Sequence, residues 1–185
     1  QDGVERILFS VGEHALEATQ ESEDRIREAA GILGVPSEKI VESSKALVEE
    51  NRKLKRRVKQ LENAMAKSRA LEYVKSATTM KNVKFFLKTF TDTEVNFLIK
   101  VANEAVNIDP NLALVFIAVD KAARVIVRVG EEALKRGLDA RVIADEAASI
   151  LGGRGSGKPT FAQGGGTLID KANEALNKAK DIIVK

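Results

Sequence analysis

Gly152-Gly153-Arg154-Gly155-Ser156-Gly157-Lys158-Pro159-Thr160-Phe161-Ala162-Gln163-Gly164-Gly165-Gly166 is the stretch around which the chain is read: seven of its fifteen residues are glycine, and apolar helical patterns flank it on both sides. A run this dense is costly to order, because glycine loses the most backbone freedom on folding. A flexible linker has such a composition. Against that, Arg154 and Lys158 sit among the glycines, Pro159 stiffens the middle, and Gln163 precedes a second glycine triplet. Bare backbone beside guanidinium, ammonium and amide donors suits the close approach of an anionic or polar ligand. The stretch therefore reads as a binding loop spanning 152–166. It does not read as a nucleotide-hydrolysing P-loop, although Gly152 and Gly157-Lys158 have the spacing. That motif needs Ser or Thr directly after the Lys and a strand before the loop; here Pro159 follows the Lys and the preceding residues read as helix.

Outward from this stretch, Leu138 to Leu151 and Thr167 to about Ile183 carry helical apolar periodicity. Leu112 to Val119 is a near-continuous apolar run, which suits a strand buried on both faces. Arg124 to Val129 reads as a second strand, joined to the first by a hairpin link at Val119–Ala123 and ended by Gly130. Val83 to Lys88 reads as another strand, followed by a helix capped by Thr91 or Asp92 and running to about Asn107. These elements predict an α/β (α+β) globular domain over 79–185, long enough to bury a core of its own.

Residues 1–78 have a different character. Val4 to Val11 contains a short apolar run that reads as a strand without a hairpin partner. Glu13 to about Leu33 reads as helix, stopped by Gly34-Val35-Pro36, with Ser37 as N-cap of the next. That next helix has no Gly or Pro from Glu38 to about Ser76 and would extend roughly 60 Å. Ile40, Leu47, Leu54 and Leu61 fall at one heptad position, and Ser44, Asn51, Val58 and Met65 at the other, a seam of about four heptads that suggests a coiled coil. A short turn between the helices favours an antiparallel hairpin. The second helix outruns the first from roughly Leu61 onward, so Leu54, Val58, Leu61 and Met65 are candidate contacts with a second copy of the chain. Arg52, Lys55, Arg56 and Lys59 belong to a run of six positive charges in eight residues. It reads either as a solvated coiled-coil face partnered by Glu49, Glu50 and Glu62, or as a phosphate-binding stripe.

Composition narrows the chemistry. The formal charge is +3, too small to announce nucleic acid for the chain as a whole. There is no cysteine, so disulfides, thiol chemistry and thiolate zinc sites are excluded. No apolar run approaches the ~18 residues of a membrane span, and the first residues carry no secretory signal. Gln1 is an unusual first residue and suggests that more chain precedes it. The one histidine, His14, reads as a surface or packing residue between Glu13 and Glu17. Ser10, Ser22 and Ser156 lack any His-based activation. Nothing in the sequence argues for catalysis, and no catalytic or metal-ligating residue is assigned.

The paired glycines, the Arg/Lys-Pro centre and Ala162-Gln163-Gly164-Gly165 resemble the signature of the DHH-associated domain, which ends alanyl-tRNA synthetases and also occurs in DHH-type phosphoesterases. Glu5-Arg6-Ile7 with Gly12-Glu13-His14-Ala15-Leu16, and the helix–Leu33-Gly34-Val35-Pro36–long-helix order, resemble the region after the editing domain of alanyl-tRNA synthetases, and the many Lys, Glu and Arg residues with the heptad seam resemble an archaeal form. The resemblance implies a non-catalytic C-terminal region that dimerises, contacts the outer corner of alanine-specific tRNA and coordinates aminoacylation with editing in the cytoplasm. It implies no cofactor here, since the family's ATP, magnesium and editing-site zinc belong to upstream domains. On this reading Gly152, Gly153, Gly155, Gly157, Gly164, Gly165 and Gly166 would let the backbone lie against RNA. Arg154 and Lys158 would reach phosphates, and Gln163 a sugar or base edge, with Arg52, Lys55, Arg56 and Lys59 as further candidates. Scarce aromatics favour recognition of folded RNA over single strands. Two alternatives stay open: a purely structural homodimerisation piece, and the nucleic-acid-holding part of a DHH-type phosphoesterase.

Overall fold

The computed structural model describes residue 3 and residues 11–185, so the strand expected within Val4–Val11 lies almost wholly outside the described residues. Contacts divide the chain into a unit ending at Val58 and a second from Lys59 to Lys185.

In the first unit, α1 (Glu13–Leu33) ends at Gly34, whose φ of 65° is left-handed. The Val35 N–H then reaches back to the Ala30 carbonyl at 3.0 Å, closing the last turn as glycine-ended helices do. Pro36 precedes a 3-10 turn at Ser37–Lys39, so Ser37 opens that turn without making a side-chain cap. α2 (Ile40–Lys75) follows directly. Burial in this unit is concentrated at the bend, where Ala30 is buried and Ala29, Leu33, Val35, Ile40, Ser43 and Ser44 are half-buried; away from it, Ala15 is half-buried. Beyond it Leu16 (60% exposed), Leu47 (55%) and Leu54 (57%) face solvent. The antiparallel pairing suggested by the short turn is thus limited to the turn. The broken stripe of α1, interrupted by long charged side chains, offers the α2 seam no continuous surface to pack on.

The second unit begins within α2. Residues 59–78, read from sequence as arm, here help build the core: Ala66, Ala70 and Tyr73 are buried. The Tyr73 ring stacks on Phe86 at 4.5 Å and meets Phe116 edge-on at 5.8 Å. Such aromatic pairs add about 0.5–1.5 kcal/mol beyond the area they bury. An ion pair from Lys100 Nζ to Glu62 Oε2 at 2.9 Å fixes the same stretch.

The rest of this unit is a six-stranded sheet in the order β1-β2-β3-β4-β6-β5. Its strands are β1 (Thr78–Met80), β2 (Val83–Thr91), β3 (Leu112–Val119), β4 (Ala123–Val129), β5 (Arg154–Lys158) and β6 (Phe161–Gly166). The β2–β3 pair is parallel, with α3 (Val95–Ile108) as crossover, and all other pairs are antiparallel. α3 starts after Glu94, later than Thr91 or Asp92, because Asp92 takes a left-handed φ of 51° at the strand end. α5 (Ala140–Ile150) is the helix expected over Leu138–Leu151, and a short α4 (Glu131–Lys135) precedes it. The Asp139 carboxylate caps α5 by accepting from the Arg141 N–H at 2.8 Å. α6 (Ala172–Val184) closes the chain after a 3-10 turn at Ile169–Lys171.

The core lies on both sides of the sheet, and β3 is buried on both, as its unbroken apolar run predicts. One side packs Val125, Val127 and Ala162 under α5 and α6; the other packs Leu114, Phe116 and Ile126 under α3 and the end of α2.

The glycine stretch is not a loop. It is the β5–β6 hairpin at the edge of the sheet, turned at Pro159-Thr160. Its glycines are required by α5, which lies directly on it. A Cβ on Gly155 would sit 2.5 Å from the Ala144 carbonyl carbon, and one on Gly164 would sit 2.7 Å from the Ala148 methyl. A Cβ on Gly166 would meet the Leu151 carbonyl oxygen at 1.9 Å.

Gly155→Ala is expected to destabilise the second unit by about 2–3 kcal/mol, because the clash is with backbone that cannot yield. Gly31→Ala, in α1 with nothing within 4 Å, should raise helicity and stabilise by about 0.5–1 kcal/mol. Urea titration followed by circular dichroism checks both. A second expectation concerns Asp109, which joins α3 to β3. Burial pushes its carboxyl up, but hydrogen bonds from Lys84 Nζ (2.6 Å) and the Asn111 N–H (3.0 Å), with the Lys84 charge, outweigh this and hold it below the usual range. A depressed folded value means stabilisation that is complete above the unfolded pKa of about 3.9 and lost as pH falls through the folded value. Asp109→Asn should therefore flatten the acid limb of stability measured against pH.

Candidate nucleic-acid interface

Residues directly opposite one another in paired strands point to the same face. Across β4, β6 and β5 the register gives three rows: Arg128–Phe161–Lys158, Ile126–Gln163–Ser156 and Arg124–Gly165–Arg154. The alternate positions, Val125, Val127, Ala162, Gly164 and Gly155, face α5. The hairpin is thus two-sided, with glycine and alanine against the helix and polar or charged residues on the other face. Arg124, Arg154, Ser156, Lys158 and Gln163 are exposed there, and Arg128 and Phe161 are half-buried. The nine positions hold four cations and no carboxylate.

Arg128 is the anchored member of the set. Its Nε donates to Asn103 Oδ1 on α3 at 2.9 Å and its Nη1 to the Thr160 carbonyl in the hairpin turn at 2.6 Å. Burial pushes its guanidinium pKa below the usual value, against the opposing pull of the Glu131 carboxylate. Arg124 makes no ion pair among the described residues. On the outer edge of β5 the Gly155 N–H donates to Asp145 Oδ1 at 2.9 Å, so this edge is partly closed by α5.

Of the residues expected to bind, Arg154, Lys158 and Gln163 are brought onto one open face. Of the glycines only Gly165 falls on that face: Gly155 and Gly164 turn toward α5, Gly152 (φ 80°) makes the bend out of α5, and Gly153 and Gly166 are closed against backbone. Gly157 lies against Phe161 and Ala162, and Gly165 against the Ala123 carbonyl. Sequence reading missed Arg124 and Arg128. The signal was the period of two in Arg124-Val125-Ile126-Val127-Arg128, which puts both guanidinium groups on one side of a strand.

On α2, Arg52, Lys55, Arg56 and Lys59 are all exposed and follow a helical stripe. The Glu49 carboxylate takes both Arg52 (3.7 Å) and Arg56 (3.2 Å), as the solvated-face reading expects, whereas Lys55 and Lys59 have no ion pair among the described residues. The seam residues Leu54 (57%), Val58 (54%), Leu61 (50%) and Met65 (56%) are uncovered. His14 is a surface residue, bonded at 3.3 Å to Glu17. Among the described residues no group of three His, Asp or Glu gathers to hold a metal, and no helix is long and apolar enough to cross a membrane.

Residues 82–185, which hold the sheet from β2 onward and its glycine-backed hairpin, match the DHHA1 domain family. The chain belongs to the DHHA1 domain family. It is also 34% identical over 96% of its length to the alanine–tRNA ligase of Methanothrix thermoacetophila, and 28% identical over 99% to that of Methanococcoides burtonii. It spans about a fifth of those relatives (19% and 20%). The crystal structure of the C-Ala domain from Aquifex aeolicus alanyl-tRNA synthetase has a similar fold, with a TM-score of 0.54 at 21% identity over 59% of this chain and 98% of that one. The resemblance to alanyl-tRNA synthetases drawn from the glycine stretch therefore extends over nearly the whole sequence.

Proposed function

We propose that the chain is a non-catalytic, RNA-binding and self-associating region of a cytoplasmic alanine–tRNA ligase. Its partner is alanine-specific tRNA, held at the outer corner of the L so that aminoacylation and editing act on the same molecule. The observation that carries the reading is the open, carboxylate-free hairpin face with Arg154, Lys158 and Gln163 on it. Cations there meet phosphates, and the Gln163 amide reaches sugar or base edges. Gly155 and Gly164 contribute by letting the hairpin lie flat on α5. ATP, magnesium and editing-site zinc belong to other parts of the longer protein.

Equilibrium binding to folded tRNA across a salt series tests this. Saturable binding is expected, with a log–log slope of about 0.7–0.9 per phosphate contacted, and the Arg154→Glu/Lys158→Glu pair should weaken it. Unchanged affinity in that pair would remove the hairpin from the interface.

The exposed seam on α2 supports the second element, self-association. Four apolar side chains in coiled-coil register gain from a partner helix. Leu54→Lys with Leu61→Lys is expected to convert a dimer to a monomer in sedimentation equilibrium. A dimer that survives would place the contact elsewhere. A dimer without RNA affinity would favour the purely structural alternative.

A further inference from the structure

The four cations of the hairpin face form a rectangle. Arg124 and Arg128 are four residues apart on β4, and Arg154 and Lys158 are four apart on β5, each about 13 Å at 3.3 Å per residue. Two inter-strand steps, about 10 Å, separate the two pairs. Between them, on β6, lie Phe161, Gln163 and Gly165, and Ser156 sits beside Gln163 within the β5 row. The charges therefore fall in two parallel rows with an uncharged floor that carries one amide, Gln163.

The geometry points to Arg124 and Arg128 as phosphate-contacting residues, and to a ligand in which two RNA backbone runs lie side by side. One run lies along Arg124 and Arg128, the other along Arg154 and Lys158, with Gln163 and Ser156 facing the sugars and base edges between them. This rests on the RNA-binding reading above and adds to it the second row and the placement of two backbone runs.

Three observations favour this partner. The face presents positive charge without a carboxylate, and the nearest acids lie at its margins: Glu131 shares a hollow with Arg128, and Glu94 and Asp120 share one with Arg124. A second copy of the face would oppose like charges. The single aromatic in the grid, Phe161, is half-buried and packed against the core, so the face lacks the stacking platform on which single strands depend. A folded RNA, recognised by backbone placement and 2′-hydroxyls, does not need one. Arg128, held by Asn103 and Thr160, offers a pre-placed guanidinium edge, and the freely exposed Arg124 completes the row.

Arg124→Glu, Arg124→Lys, Arg154→Glu and Lys180→Glu are compared for binding of the intact chain to folded tRNA, with circular dichroism confirming the fold. Lys180 lies exposed on α6, whose apolar side packs on the opposite face of the sheet, and controls for net charge. Arg124→Glu is expected to weaken binding about tenfold, the order of one charge-assisted hydrogen bond, and to lower the salt slope by about 0.7–0.9. Arg154→Glu should do the same, Lys180→Glu should change little, and Arg124→Lys should keep the slope. If Arg124→Glu behaves like Lys180→Glu while Arg154→Glu weakens binding, the second row is wrong and the RNA-binding reading stands. If single-stranded RNA displaces the tRNA as well as tRNA itself does, the two-backbone geometry is wrong. If the chain does not bind tRNA, or all three reversals act alike, both readings fall.

Discussion

The contact on which the hairpin depends is the direct seating of α5 on β5 and β6. Ala144 and Ala148, one turn apart on the helix, meet Gly155 and Gly164 with no side chain between them. Helix and strand usually stand apart by the thickness of their side chains. Here both surfaces are trimmed to methyl or hydrogen, and the backbones close up. The entropy lost in ordering seven glycines is offset by dispersion across this close surface and by the hydrogen bonds that tie the hairpin to β4. Remove the closeness and the outer two strands have little else to hold them, since their other face is open to solvent.

That arrangement explains which parts of the fold were legible in the sequence. β3 could be read because Leu112 to Ala118 is apolar at every position, and only a strand covered on both sides has that pattern in so short a run. α2 could be read because nothing in 38–76 breaks a helix. The hairpin could not, because strands are recognised by β-branched and aromatic residues, and its residues were chosen by a tertiary neighbour. Glycine in 152–166 has a packing cause that lies on another element, so the sequence displays the symptom without the reason. The extent of the arm was misjudged for a related reason: Ala66 and Ala70 look unremarkable on a long helix, yet they are the small residues against which the sheet packs.

The candidate site was partly legible. Arg154, Lys158 and Gln163 stood out among glycines. Arg124 and Arg128 sat in a strand pattern and were passed over, because the strand-to-strand register that aligns them with Arg154 and Lys158 is set by the hairpin. The basic run on α2 was conspicuous in sequence, and two of its members prove to share one carboxylate. The conspicuous charge cluster thus shares one local carboxylate, and the dispersed one has none on its face.

The alternation along β5 and β6 also bears on how such a surface can change over generations. Every second residue is locked: a methyl group added to the helix-facing side pushes on backbone. Between them, Phe161 packs on the core and Gly165 lies against the Ala123 carbonyl, but the other four residues are exposed. Substitution at Arg154, Ser156, Lys158 or Gln163 can therefore alter what the face recognises while leaving its support intact. The hairpin separates heritable constraint from heritable freedom at a spacing of one residue. A lineage could retune its ligand here by single changes, without first acquiring a compensating change in the core.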